Sequence, residues 1–174
     1  MAQRTPRDLS LTEWIVLALV AEGPSHGFAI AKELRADSDL GRVMTVQRAL
    51  VYRALDRLSD AHLVEPSVTE PGDGGPQRTI LRATRRGRDT LNRWLDSPVA
   101  HVRDLRIEFL VKLRLNQRKG RTPTTLVRAQ RTALSPAFDS LTSPPTDAVV
   151  DRWRHRNAVA AREFLDELLA ELAP

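Results

Sequence analysis

The segment from 47 to 57 concentrates side chains that can make paired hydrogen bonds. Gln47, Arg48, Tyr52, Arg53 and Arg57 recur on one side of a predicted helix whose other side holds Val51, Ala54, Leu55 and Leu58. Glutamine can pair with the edge of adenine, and arginine forks bind guanine or phosphate through two hydrogen bonds. Taken alone, the same pattern also fits an ordinary solvated helix face. Gln77 and Arg78 follow a turn rich in Pro, Gly and Asp and could lie along a phosphate backbone or in a minor groove. Catalytic patterns fare worse. There is no G-x-S-x-G, no Gly-rich phosphate loop opening a helix and no H-E-x-x-H. His26, His62, His101 and His155 fall in different predicted elements without metal-ligand spacing, and there is no cysteine. The residues therefore predict no enzyme, no cofactor and no metal.

The elements that must position these side chains can be read along 174 residues, enough for one or two small domains. Hydrophobic residues make up 41% and charged residues 28%, which places the chain among globular proteins. No apolar run is long enough to span a membrane, and the basic N-terminus lacks a signal-peptide pattern, so a cytoplasmic location is expected. Net charge is +5, and only Lys32, Lys112 and Lys119 among the 27 basic residues are lysine. A coding bias toward arginine accounts for the bulk count. Placement says more: Asp8 to Gly41 is net acidic and Arg42 to Arg93 net basic, as in a domain with one face turned to a polyanion.

Ser10 and Glu13 form a capping-box pattern opening a helix from Leu11 to Ala21, which Gly23-Pro24 stops. Ser25 is expected to cap a second helix to about Ala36, with Phe28, Ile30, Ala31 and Leu34 as its apolar set. A turn over Asp37 to Gly41 precedes a third helix, from Thr45 or Val46 to Ala61. Two extended segments, from Leu63 and from Arg78, flank the turn-rich Glu70 to Pro76 and read as a hairpin, with Pro66 on an edge strand. Thr84 is placed to cap a fourth helix to about Asp96. After Ser97-Pro98 the pattern is all helical: about 103–116, 123–140 with Pro136 ending or kinking it, and 146–173. The fold class is mainly α: a winged helix-turn-helix with a two-stranded wing over 9–96, and an all-helical dimerisation domain over 97–174.

Several strings in this order resemble the PadR family of bacterial transcriptional regulators. The stretch from Leu17 to Ile30, containing Gly23-Pro-Ser-His-Gly-Phe28, resembles the family's junction of helices one and two. Val51-Tyr-Arg-Ala-Leu-Asp-Arg-Leu58 resembles its recognition helix. Gly75-Pro-Gln-Arg78 and Thr84-Arg-Arg-Gly87 resemble its wing and the start of helix four. The chain departs from the pattern at Leu50, where the family has a small polar residue, at His62, where it has glycine, and at Ile80 and Leu81, where it has tyrosines. The resemblance implies that Tyr52 is a partly exposed DNA contact, that Gln47 and Arg53 face the groove, and that Arg78 meets phosphate from the wing. His26 and Gly27 open helix two, either meeting a phosphate or serving as a local cap. Ser25 and Thr45, at the starts of helices two and three, join the set expected to touch DNA.

In the last helix Val150, Trp153, Asn157, Ala161, Phe164, Leu168 and Leu172 follow spacings of three and four, an apolar seam able to pair with another helix. Leu105, Phe109 and Leu113 form a second stripe. An intrachain core is the other reading, but a short helical tail has little interior, and the resemblance also implies a homodimer. Two-fold symmetry then predicts a pseudo-palindromic DNA operator. The resemblance further implies a small aromatic effector, for which Trp94 and Trp153 are the expected pocket residues. The whole reads as a homodimeric repressor released by an effector. A winged-helix module binding protein rather than DNA is the alternative, since charge over the first 96 residues is nearly balanced. A MarR-like dimer is disfavoured because the chain starts almost at once with helix one.

Overall fold

The computed structural model describes residues 9–72, 75–141 and 148–172. The chain forms two compact units that divide between Trp94 and Leu95. The first holds α1 (Leu11–Glu22), α2 (Gly27–Glu33), α3 (Arg48–Asp60), β1 (Val64–Gly72), β2 (Gly75–Ala83) and most of α4 (Arg85–Asp96). The second holds a 3₁₀ turn (Val102–Arg106), α5 (Glu108–Arg118), α6 (Thr124–Ala133), α7 (Ser135–Leu141) and α8 (Val149–Glu171). None of the described helices is long and apolar enough to cross a membrane.

Helix α1 is the centre of the first unit, buried on every side from Glu13 to Val20. Its capping box forms as the spacing predicts: the Ser10 hydroxyl accepts from the Glu13 N–H and the Glu13 carboxylate accepts from the Ser10 N–H at 2.6 Å. α3 packs on α1 through Val51, Ala54, Leu55 and Leu58, and Trp14 stacks on Trp94 of α4, centroids 4.9 Å apart and rings 3° from parallel. The wing is an antiparallel pair running from Val64↔Ala83 to Gly72↔Gly75, with register shifts between Pro66 and Val68 and between Glu70 and Gly72. The β2 side away from β1 is used by Ser25, which exchanges two backbone hydrogen bonds with Leu81. β1 is therefore the outer strand, where Pro66 removes no needed donor. Thr84 caps α4 through its hydroxyl, which accepts from the Gly87 N–H at 2.9 Å.

Several bounds and contacts differ from the spacing. α2 ends at Glu33, and Phe28 is 52% exposed rather than part of the apolar set. α3 begins at Arg48, because Thr45 bonds back to the Gly41 carbonyl and Val46 is buried as an anchor. The expected helix 103–116 is a 3₁₀ turn followed by α5, and the expected 123–140 is two helices separated at Leu134, with Pro136 at the second position of α7. Such a position needs no proline N–H. The expected cap of the last helix, Thr146, lies outside the described residues; α8 follows Ala148 without a side-chain cap.

The second unit has a core of its own. Leu105, Phe109 and Leu113, expected as a dimer stripe, are buried there with Leu126, Val127, Leu134, Phe138, Ala158 and Leu165. The short tail does make an interior, so that stripe is intrachain. Gln130, fully buried, supports it by pairing with both the N–H (2.7 Å) and the carbonyl (3.0 Å) of Val99.

Candidate nucleic-acid interface

The exposed end of α3 is built from its first two turns. Val51, Ala54, Leu55 and Leu58 commit one side to the core, which leaves Arg48, Ala49, Leu50, Tyr52, Arg53 and Asp56 outward. Gln47 is the N-cap residue; it is exposed and its side chain makes no cap bond. The Arg48 guanidinium lies over two rings, 5.4 Å from the Phe28 centroid and 5.5 Å from that of Tyr52, and donates to the Tyr52 hydroxyl at 3.4 Å. A cation over two aromatic faces is held in place while its remaining N–H groups stay available. Phe28 belongs to this cluster, and the apolar spacing of α2 concealed it.

Gly27 explains the approach of α2 to α3. The Tyr52 ring lies so close that an added Cβ would stand 2.7 Å from its Cε1. His26 is the cap of α2, its Nδ1 accepting from the Ala29 N–H at 3.2 Å, which is the local-cap reading of that residue. Ser25, expected as the cap, is instead the backbone bridge to β2. Thr45 is tied to Gly41. Gln77 and Arg78 lie on β2, with side chains outside the described residues.

Arg57 is exposed as well, but its guanidinium is engaged. Its guanidinium meets the buried Glu13 carboxylate at 3.1 Å and so ties α3 to α1. Burial pushes the Glu13 carboxyl up, but the Ser10 N–H, the Arg57 guanidinium and the Ser10 hydroxyl outweigh it, and the group sits below its ordinary 4.5. A carboxylate whose folded value is depressed stabilises the fold above its unfolded value, and that stabilisation is lost as pH falls through the folded value. The urea midpoint is thus expected to drop as pH falls below 4.5, with Glu13→Gln lower at neutral pH and flatter in acid. An equally steep acid loss in Glu13→Gln would assign the effect to other carboxylates.

The two tryptophans expected to line an effector pocket stand in different environments. Trp94 is core, stacked on Trp14, and Trp153 is 68% exposed. A groove of about 490 Å³ along α8 is lined by Arg152, His155, Arg156, Val159, Ala160 and Glu163, and neither tryptophan lines it. The seam of α8 divides as well. Val150, Trp153, Asn157 and Phe164 are exposed, whereas Ala161, Leu168 and Leu172 pack against the core, so Ala160 rather than Ala161 continues the free face. Among the described residues no group of His, Asp and Glu could hold a metal ion.

Three helices, a two-stranded wing and a fourth helix, with basic and aromatic side chains at the start of the third, define a winged helix-turn-helix. Residues 16–93, from α1 into α4, match the model of the transcriptional regulator PadR-like family. Solved structures with a similar course include Bacillus subtilis PadR in complex with operator DNA, at 17% identity over 92% of this chain and 94% of that one, with a TM-score of 0.48. The same protein in complex with p-coumaric acid gives 14% identity, coverage of 94% and 99%, and a TM-score of 0.46. The protein smu.1604c from Streptococcus mutans UA159 gives 18%, 91% and 98%, and 0.45. Comparison with curated proteins gives no match.

Proposed function

We propose that this protein is a sequence-specific DNA-binding transcriptional regulator that acts as a homodimeric repressor, by binding rather than by catalysis. The observation that carries the reading is the exposed start of α3, where Gln47, Arg48, Tyr52 and Arg53 stand together within a PadR-like segment. Residues 9–96 form the DNA-binding domain, with α3 in the major groove and the wing, through Gln77 and Arg78, against the backbone. Residues 97–174 form the dimerisation domain. Its contact is the free face of α8, where Trp153, Asn157, Ala160 and Phe164 follow the four-three-four spacing of a helix-pairing seam.

Fluorescence anisotropy on the chain's own upstream region, at two salt concentrations, tests the reading. Binding should be tight, weaken steeply with salt and be competed only by related palindromes. Weak binding that any duplex competes away would favour the protein-interaction alternative. Arg53→Ala should cost about 1–3 kcal/mol and relax specificity at one base pair. An equal loss on all sequences would make Arg53 a phosphate contact instead. An effector completes the reading: B. subtilis PadR was solved with p-coumaric acid, and titrating that acid into the DNA complex should release it. Unchanged anisotropy would remove this effector.

A further inference from the structure

The first turn of α3 exposes apolar side chains amid polar ones. Leu50, third residue of the helix, is 41% exposed, and Ala49 beside it is exposed too. The next residue, Val51, is fully buried and already anchors this turn to the core. Gln47, Arg48 and Arg53 stand within a turn of the pair. A lone exposed leucine on a protein surface needs no explanation. This one sits at the end of the helix that presents the Arg48 cluster, where side chains of a groove-reading helix reach base edges.

Leu50 and Ala49 carry no donor or acceptor, so they can distinguish base pairs only through apolar contact or a clash. The major groove offers one apolar feature, the C5 methyl of thymine. The guanidiniums of Arg48 and Arg53 supply the attraction that would bring this apolar surface against the bases, since neither is tied to a carboxylate in any described ion pair.

The geometry points to Leu50, assisted by Ala49, as a reader of thymine methyl groups in the operator. This rests on the DNA-binding reading above. The contact adds specificity without a hydrogen bond, and each methyl removed from water contributes about fourfold in affinity. Replacing thymine by uracil removes that methyl and leaves the O4 acceptor unchanged, so the exchange isolates the contact.

The test begins with selection of duplexes from a random-sequence library by the full-length protein, followed by anisotropy on the recovered duplex. Each thymine is then replaced singly by deoxyuridine. At one or two adjacent positions of the half-site, wild type should weaken about fourfold, and Leu50→Ser should bind the thymine and uracil duplexes alike. Leu50 is exposed, so the substitution leaves the packed side of α3 untouched. Two outcomes overturn the inference while leaving the DNA-binding reading intact: a recovered site without thymine, or wild-type binding indifferent to every deoxyuridine. A deoxyuridine effect retained in full by Leu50→Ser overturns the assignment to Leu50. Failure to enrich any sequence overturns the regulator reading itself.

Discussion

Lys112→Ala is expected to destabilise the second unit by about 3–5 kcal/mol, while Lys112→Met stays within about 1 kcal/mol of wild type. Lys112 is as buried as the leucines around it, at 1% exposure. Its ammonium donates to the Ser97 carbonyl at 2.9 Å and meets the Glu108 carboxylate at 2.9 Å. Alanine removes four heavy atoms of packing and leaves the Ser97 carbonyl without this donor. Methionine keeps the volume and avoids burying a charge, which offsets the lost hydrogen bonds. Burial pushes the ammonium down, Glu108 holds it up in part, and the net position is below the ordinary 10.5. The folded state then binds fewer protons than the unfolded one as pH rises toward 10.5, so stability rises through that window. Urea titrations at neutral and alkaline pH read both effects. The alkaline gain should vanish in Lys112→Met; equal losses for alanine and methionine would show that the charge, not the packing, dominates.

Lys112 also marks where sequence reading stops. Periodicity shows α3 because it buries one stripe, Val51, Ala54, Leu55 and Leu58, and local caps follow directly from residue type, as at Ser10 and Thr84. Contacts between distant positions leave no such trace. Glu13 satisfies its capping box and also holds Arg57, 44 residues away, so a side chain whose spacing reads as free for DNA is engaged in an ion pair with α1. Leu105, Phe109 and Leu113 have the spacing of any helical stripe, and only the fold of α6 to α8 decides that they face inward. Phe28 hid for the opposite reason: a large apolar residue at a helical spacing reads as core until Arg48 is found over its ring. His62 was legible as a problem. It lies at φ 55, ending α3 in a left-handed turn in which the Leu63 N–H reaches the Leu58 carbonyl and the His62 N–H reaches that of Ser59. That bonding pattern favours glycine, and the backbone pays for histidine there because it must turn into β1.

Gly87→Ala should disrupt the first unit by about 3 kcal/mol or more, at or above the upper end of overpacking costs. In an exposed helix the same change would stabilise by roughly 1 kcal/mol, since alanine is the better helix former. Here a Cβ on Gly87 would stand 2.1 Å from the Leu63 carbonyl oxygen. That oxygen cannot retreat freely: it accepts from the Thr84 N–H at 3.0 Å and from the Thr84 hydroxyl at 3.2 Å, the same hydroxyl that caps Gly87. The clash therefore falls on the joint that fixes the start of β1 to the start of α4, and with it the base of the wing. Gly23→Ala is the matched control. It stands in extended backbone before Pro24, with nothing within 4 Å of the added Cβ, and should change stability by less than about 0.5 kcal/mol. Urea midpoints of the two variants separate the explanations. A large loss in Gly87→Ala alone identifies close approach as the reason for glycine there, whereas two small effects would show that α4 can shift to admit the methyl group and that the wing is not anchored at this point.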